Sequence, residues 1–362
     1  GGRVSDHPLP SVEGAITADE VLATAKHIAS LQLPDGMIPW YPDGHCDPWN
    51  HVETAMALDV AGMHEPARRA YRWLADMQRA DGSWHAYYLA DGIEDAKLDT
   101  NVCAYIAAGV WHHWLVTGDR AFVESMWPTV ERAVDWVLAL QTPRGEIIWA
   151  RHVDGTPWSY ALLTGSSSIC HSLRCAVALA ELLGDERPEW ELAAVNLADV
   201  IRNQPQAFAP KHRWAMDWYY PVLGGALTDA EAAARLESRW GTFVMPGLGV
   251  RCVSNEPWVT AAETAECSIA HSAVGLLDTA AMLLRWTRPH RCDDGAYITG
   301  LVHPDRVTFP TGERSAYTGA AIILAADAIS GASPASGLFL GQHLPAVIDS
   351  GLPLDDPELD LD

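Results

Sequence analysis

The densest run of side chains able to do chemistry is Trp40-Tyr41-Pro42-Asp43-Gly44-His45-Cys46-Asp47-Pro48-Trp49-Asn50-His51-Val52-Glu53. Asp47 ahead of Pro48 has the pattern of a helix N-cap followed by proline at the first helical position. A cap at the mouth of a cavity is also available as an acid or base. His51 stands four residues on and can share the face of Asp47. Glu53 is rotated away and reads as a core or inter-helix partner. A second run, Trp258-Val259-Thr260-Ala261-Ala262-Glu263-Thr264-Ala265-Glu266-Cys267, sets two glutamates three apart among small apolar residues. Burying a carboxylate is costly unless it is paired, so either an arginine partners them or at least one has a chemical purpose. Glu263 lies nearer the helix start and is the better candidate; Glu266 is expected beside it as a substrate contact.

Paired carboxylates among Trp and Tyr are the minimum set for glycoside hydrolysis: a protonated acid for the leaving oxygen and a base for water. A gap of about 6.5–9.5 Å between them inverts the anomeric centre. We take Asp47 and Glu263 as that pair, with the acid and base roles left open. The expected sugar contacts are Trp40, Tyr41, His45, Trp49, His51, Trp84, Trp149, Arg151, Arg251, Trp258 and Glu266, from the turns that carry most of the aromatic, basic and acidic residues. Asp99 reads first as a cap in Leu98-Asp99-Thr100-Asn101. Asp217 sits among aromatic rings with Trp218 and Tyr219, a pattern that suits a sugar subsite. Ser167, in Thr164-Gly165-Ser166-Ser167-Ser168, belongs to a capping turn whose hydroxyls can bind ligand.

Other chemistries find no support. The chain has 362 residues, with 47 acids against 24 lysines and arginines, a net charge of −23. Such a chain is repelled by nucleic-acid phosphates and anionic membranes. No lysine-bearing phosphate loop, Gly-x-Ser-x-Gly elbow or zinc-ligand spacing occurs, and His112-His113 reads as core, so no metal or cofactor is expected. Apolar runs are broken before about 18 residues, too short for a membrane span. The first residues lack the pattern of a signal peptide. Seven cysteines scattered singly read as reduced thiols of a cytoplasmic protein. The aromatics are skewed: 16 Trp and 10 Tyr against 5 Phe, flat faces with polar handles that suit a polar ligand such as an oligo- or polysaccharide. Nothing in the chain reads out an oligomeric state.

The elements that must position these residues repeat. An amphipathic segment ends in Gln, a Gly turn follows, then a Trp or Tyr, then a more apolar helix. Examples are Gln32 to Gly36 and Trp40, Gln78 to Gly82 and Trp84, and Gln141 to Gly145 and Trp149; looser copies begin near Asn203, Trp240 and Trp286. Residues 17–32 carry the 3–4 spacing of a half-buried helix with acids in its first turn. The second helix of each pair, such as the one from about Thr100 to Val116, is apolar nearly all round and so belongs inside. Strand signals are weak. Six helical hairpins predict an all-α (α/α)6 toroid over residues 1–330, whose turns line one funnel. Residues 331–362, rich in Gly, Pro, Ser and terminal acids, are expected as a surface-wrapped or disordered tail.

Gln78-Arg79-Ala80-Asp81-Gly82-Ser83-Trp84 resembles the QxxxGxW repeat of squalene and oxidosqualene cyclases, but the acidic DxDD motif of those enzymes is absent. Over nearly the full length, Trp111-His112-His113, Leu163–Ile169, Met216–Pro221 and Pro246–Cys252 resemble an actinobacterial family of helical toroids that includes endo-acting α-1,4-mannanases of methylmannose polysaccharide. The resemblance implies an intracellular glycoside hydrolase acting on an α-mannoside chain, O-methylated on some rings. Two other readings stay open here: a noncatalytic binder of polyprenyl or acylated glycans, which needs a dry apolar cavity, and a terpenoid cyclase.

Overall fold

The computed structural model describes residues 6–345. Outer helices α1 (Ala18–Leu31), α3 (His64–Met77), α6 (Arg120–Leu138), α8 (Pro188–Asn203), α10 (Asp229–Ser238) and α13 (Leu277–Arg285) alternate along the chain with inner ones. The inner helices are α2 (Pro48–Val60), α4 (Thr100–Ala104) with α5 (Ile106–Thr117), α7 (Leu163–Leu183), α9 (Ala215–Leu223), α12 (Ala261–Ala273) and α14 (Ala316–Ser330); a single turn, α11 (Trp240–Phe243), follows α10. Each inner helix packs on the next, and α14 returns to α2, so the inner ring closes. Sidedness follows from composition. Outer α3 buries His64, Ala67, Ala70, Tyr71 and Leu74 at helical spacing, whereas α2 and α12 bury nearly every residue.

The repeated Gln and Gly residues explain how neighbouring hairpins hold register. Gln78 Nε2 donates to Gly82 O of its own turn at 3.0 Å and to Thr129 O of α6 at 2.9 Å. Gln32 makes the same pair of bonds to Gly36 O and to Pro66 O of α3, and Gln141 to Gly145 O and to Ala193 O of α8. The glycine is forced by contact as well as by conformation. Gly82 has φ +100°, and a Cβ there would lie 2.3 Å from Arg132 O of the next outer helix. At the sixth hairpin the clamp is basic: Arg291 donates to Thr24 Oγ1 at 2.9 Å and to Glu20 O at 3.1 Å, tying the last turn to the first helix.

Strand content is low, as the weak signals imply, but it is not nil. Nine short strands occur among the described residues, none above four residues long: β1 (Tyr87–Leu89), β2 (Gly92–Asp95), β3 (Leu98–Asp99), β4 (Ala150–Arg151), β5 (Val244–Met245), β6 (Gly249–Arg251), β7 (Trp258–Thr260), β8 (Gly300–Val302) and β9 (Val307–Thr308). All lie in the outer-to-inner connections. β5 to β9 form one antiparallel sheet, with Trp258 opposite Val302 and Val250 opposite Thr260. Segments of two to four residues are too short to display a period of two, so composition cannot reveal them. Because β7 occupies Trp258–Thr260, α12 starts only at Ala261.

Beyond α14 the chain crosses the end of the ring opposite those connections. Leu338 is fully buried, Phe339 stacks on His171 at 4.6 Å, and Trp111 Nε1 donates to His343 O at 3.0 Å. The rest of the expected tail, 346–362, lies outside the described residues. The clamp geometry predicts that Gly82→Ala destabilises the protein by about 2–4 kcal/mol, from backbone strain plus the clash with α6. Gly92→Ala, where a Cβ meets open space, should stay within about 0.5 kcal/mol; urea unfolding of both variants measures the difference.

Candidate active site

The six outer-to-inner connections deliver their side chains to one mouth, around a cavity of about 270 Å³. The first hairpin contributes most. Asp47 is the N-cap of α2: Asn50 N–H donates to Oδ2 at 2.9 Å, while Trp40 Nε1 at 2.8 Å and Asn50 Nδ2 at 2.9 Å donate to Oδ1. Burial pushes the Asp47 carboxyl up from its ordinary range, and these three donors pull the other way by favouring the charged form. Trp49 and Glu53 follow on the same helix face, four residues apart.

Two places round the inner ring, beyond α14, α12 presents Glu263 and Glu266 to the same cavity. Glu263 accepts from the Thr260 hydroxyl and, weakly, from Cys252 Sγ at 3.6 Å, and burial raises its pKa. Glu266 lies deeper and accepts from both Tyr219 Oη, at 2.8 Å, and Tyr220 Oη. Burial and then the Glu53 charge push Glu266 up to about 8 in spite of those hydroxyls. Glu53 accepts from Tyr105 Oη at 2.6 Å, and burial raises it to about 7. Beneath this level Trp49 stacks flat on Tyr105, with centroids 4.2 Å apart, and donates from Nε1 to Ser168 Oγ at 3.1 Å. A void of about 20 Å³, the size of one water, separates that stack from Phe339.

Of the expected residues, Asp47, Glu263, Glu266, Trp40 and Trp49 line the cavity together. Tyr219 supports it through Glu266. Others serve the mouth and not the cavity. His45 bonds Glu94 at 2.8 Å and packs on Trp40, and Tyr41 faces a separate groove with Pro42 and Pro310. Arg251 donates to Glu256 O, and Trp258 Nε1 donates to Phe309 O at 3.0 Å. Arg151 lies in β4, paired with Leu98. Asp99 caps α4 and accepts from Trp149 Nε1 at 2.8 Å, so both brace the turn.

Several assignments fall in the core instead. His51 accepts from Ile38 N–H at 3.3 Å and its Nε2 donates to Ala70 O at 2.8 Å, and burial lowers its pKa to about 4; it faces the outer ring, away from Asp47. Trp84 and Trp218 are buried and spend their Nε1–H on Leu74 O and Arg235 O. Ser167 bonds back to Leu163 O, and Asp217 is buried, its carboxyl 3.8 Å from His212 Nδ1.

Glu53, expected in the core, instead faces the cavity. Counting from Asp47 rotates it away; counting from Trp49 or Asn50 puts it on the same face. Tyr87, Asn101, Val102, Thr164, Met216, Tyr220 and Tyr317 also line the cavity and were not singled out as contacts, because nothing in their spacing separates them from core residues. Among the described residues no group of His, Cys, Asp and Glu could hold a metal, and no helix is long and apolar enough to cross a membrane.

Four carboxyl groups open on one small chamber with aromatic walls, which is glycosidase chemistry and the opposite of a dry polyprenyl pocket. No family model matches the chain. The MMP endo-(1,4)-3-O-methyl-alpha-D-mannosidase of Mycolicibacterium hassiacum is 51% identical to it over 337 residues, 93% of each chain. The chain belongs to this family of glycoside hydrolases. Solved structures share its fold at low identity. A glycosidase bound to glucose has a TM-score of 0.70 at 16% identity, covering 90% of this chain and 98% of that one. D-mannose isomerase has 0.65 at 10%, covering 85% and 96%.

The site of this mannosidase-family enzyme should be visible in its pH-dependent stability. Glu53 and Glu266 have folded pKa values above the ordinary 4.5, so the folded state binds protons more tightly than the unfolded chain. Their stabilisation is complete below about pH 4.5 and is lost as pH rises toward 8. The Tm of the wild type should therefore fall over that window, and Glu53→Gln/Glu266→Gln should flatten the fall; an unaltered slope by calorimetry excludes the two groups as its source.

Proposed function

We propose that the enzyme hydrolyses internal α-1,4 links of a 3-O-methylmannose chain with inversion, using Asp47 as general base and Glu263 as general acid. The observation that carries this is the contrast between two buried carboxyls in one cavity. All three donors to Asp47 favour its anion, which is the form that accepts a proton from water. Glu263 is held by a hydroxyl, a thiol and its own backbone N–H, with no amide or indole donor, and lies among alanines, where burial favours the protonated form needed by the leaving oxygen. Inversion requires room for a sugar ring and a water between the pair, and α14 stands between the two helices, α2 and α12, that carry them.

Trp49 and Tyr317 offer ring faces, and Asn50 is fixed by its bonds to Asp47, so a bound sugar meets an oriented site. The free state of all seven cysteines supports a reducing, cytoplasmic location.

Incubation with O-methylated and unmethylated α-1,4-mannan oligosaccharides, read by mass spectrometry and by NMR of the first-formed anomer, tests the reading. Shorter chains released as the β-anomer support it; an α-anomer overturns inversion, and no cleavage overturns the activity. Asp47→Asn and Glu263→Gln should each lower kcat by about 10²–10⁴. A chain with a nitrophenyl leaving group needs no acid for the departing oxygen. It should restore most of the rate to Glu263→Gln and none to Asp47→Asn; the reverse pattern exchanges the roles. Activity should fail at low pH as Asp47 takes up a proton and at high pH as Glu263 loses one.

A further inference from the structure

The cavity has two unlike halves. The fifth, sixth and first hairpins bring all four carboxyl groups, with Tyr317 between them. The second, third and fourth hairpins bring Tyr87, Asn101, Val102, Thr164, Met216 and Tyr220 and, among the described residues, no charge. Val102 and Met216 remain partly exposed on helices whose next residues, Cys103 and Asp217, are buried, so apolar surface faces the cavity. Asn101 Oδ1 is shielded from solvent yet accepts from no donor among the described residues.

This half is held firmly. Asp99 caps the helix by accepting from Val102 N–H at 3.0 Å and is itself held by Trp149 Nε1. Asn101 packs against Gly165 of α7, where an added Cβ would sit 3.5 Å from Asn101 Cβ. A buried carbonyl without a donor is unfavourable by about 1–3 kcal/mol, and a ligand hydroxyl removes that cost. An O-methyl group carries no proton to donate, but it suits Val102 and Met216.

We propose that this wall reads the substitution pattern of the mannose ring: Val102 and Met216 seat an O-methyl group, while Asn101 Oδ1 accepts from a free hydroxyl beside it. The inference rests on the reading of the enzyme as a hydrolase of methylated mannoside and adds which residues select the substrate. A methyl group transferred from water to an apolar wall gains about fourfold in affinity. A hydroxyl in the same place loses its water and meets no acceptor on Val102 or Met216. A ring methylated at every hydroxyl leaves Asn101 unsatisfied, and a site built to bond a hydroxyl penalises its loss.

The test measures kcat/KM on methylated and unmethylated α-1,4-mannan oligosaccharides of equal length. Val102→Thr keeps the shape and adds a hydroxyl; Met216→Gln keeps the length and adds an amide. Each should lower the methylated-to-unmethylated ratio about four- to tenfold, mainly through KM for the methylated chain. Asn101→Leu should lower kcat/KM on both chains about tenfold and leave the ratio in place. An unchanged ratio in both Val102→Thr and Met216→Gln overturns the methyl seat, and full activity in Asn101→Leu overturns the hydroxyl contact. If the wild type cleaves neither chain, the hydrolase reading fails. The selectivity is then read from the Kd ratio of the two chains by calorimetry, with the same shifts expected.

Discussion

One side-chain amide, repeated around the ring, sets the geometry of the rest. Gln32, Gln78 and Gln141 each hold their own turn and a carbonyl of the next outer helix with two bonds from a single Nε2. The bonds are local in sequence on one side and 34 to 52 residues away on the other, so they convert turn conformation into spacing between hairpins. Glycine is required at each turn because the next helix backbone lies where a Cβ would go. Arg291, which bonds α1, lets the sixth hairpin join the first. Only after this closure do Asp47 and Glu263, more than two hundred residues apart, face one space.

That space is dominated by desolvation. Four carboxyl groups are removed from water inside a ring that, among the described residues, supplies no arginine or lysine to the cavity lining. Their partners are neutral: indole, amide, hydroxyl and thiol. Such donors modulate ionisation without abolishing it, whereas a guanidinium would hold a carboxylate permanently charged. The absence of a cation from the lining is therefore part of the chemistry. It leaves each carboxyl free to hold or release a proton, as the proposed acid and base roles require.

The ring itself was legible in the sequence because its unit repeats and because inner and outer helices differ in how apolar they are. Asp47 was legible because a cap followed by proline marks a helix start, and Glu263 and Glu266 because charge among alanines is conspicuous. The short strands left no trace, being below one period of any pattern. Glu53 was misread by half a turn through counting from the cap and not from Trp49. His51, Trp84, Ser167 and Trp218 have the chemistry of ligand contacts but spend it on backbone carbonyls, a distinction that resides in tertiary packing alone. Asn101 is the converse case, a commonplace helix-start residue set apart because its Oδ1 finds no donor among the described residues.

The far end of the ring is filled, by the Trp49–Tyr105 stack above and by Phe339 and Leu338 below. The central bore is thus a blind well and not a tunnel. A polymer cannot be threaded through it and drawn along; it must lie across the mouth, and both fragments must depart by the way they came. Successive cuts then demand release and fresh encounter, so the length distribution of products reports where chains first settle and not how far the enzyme travels.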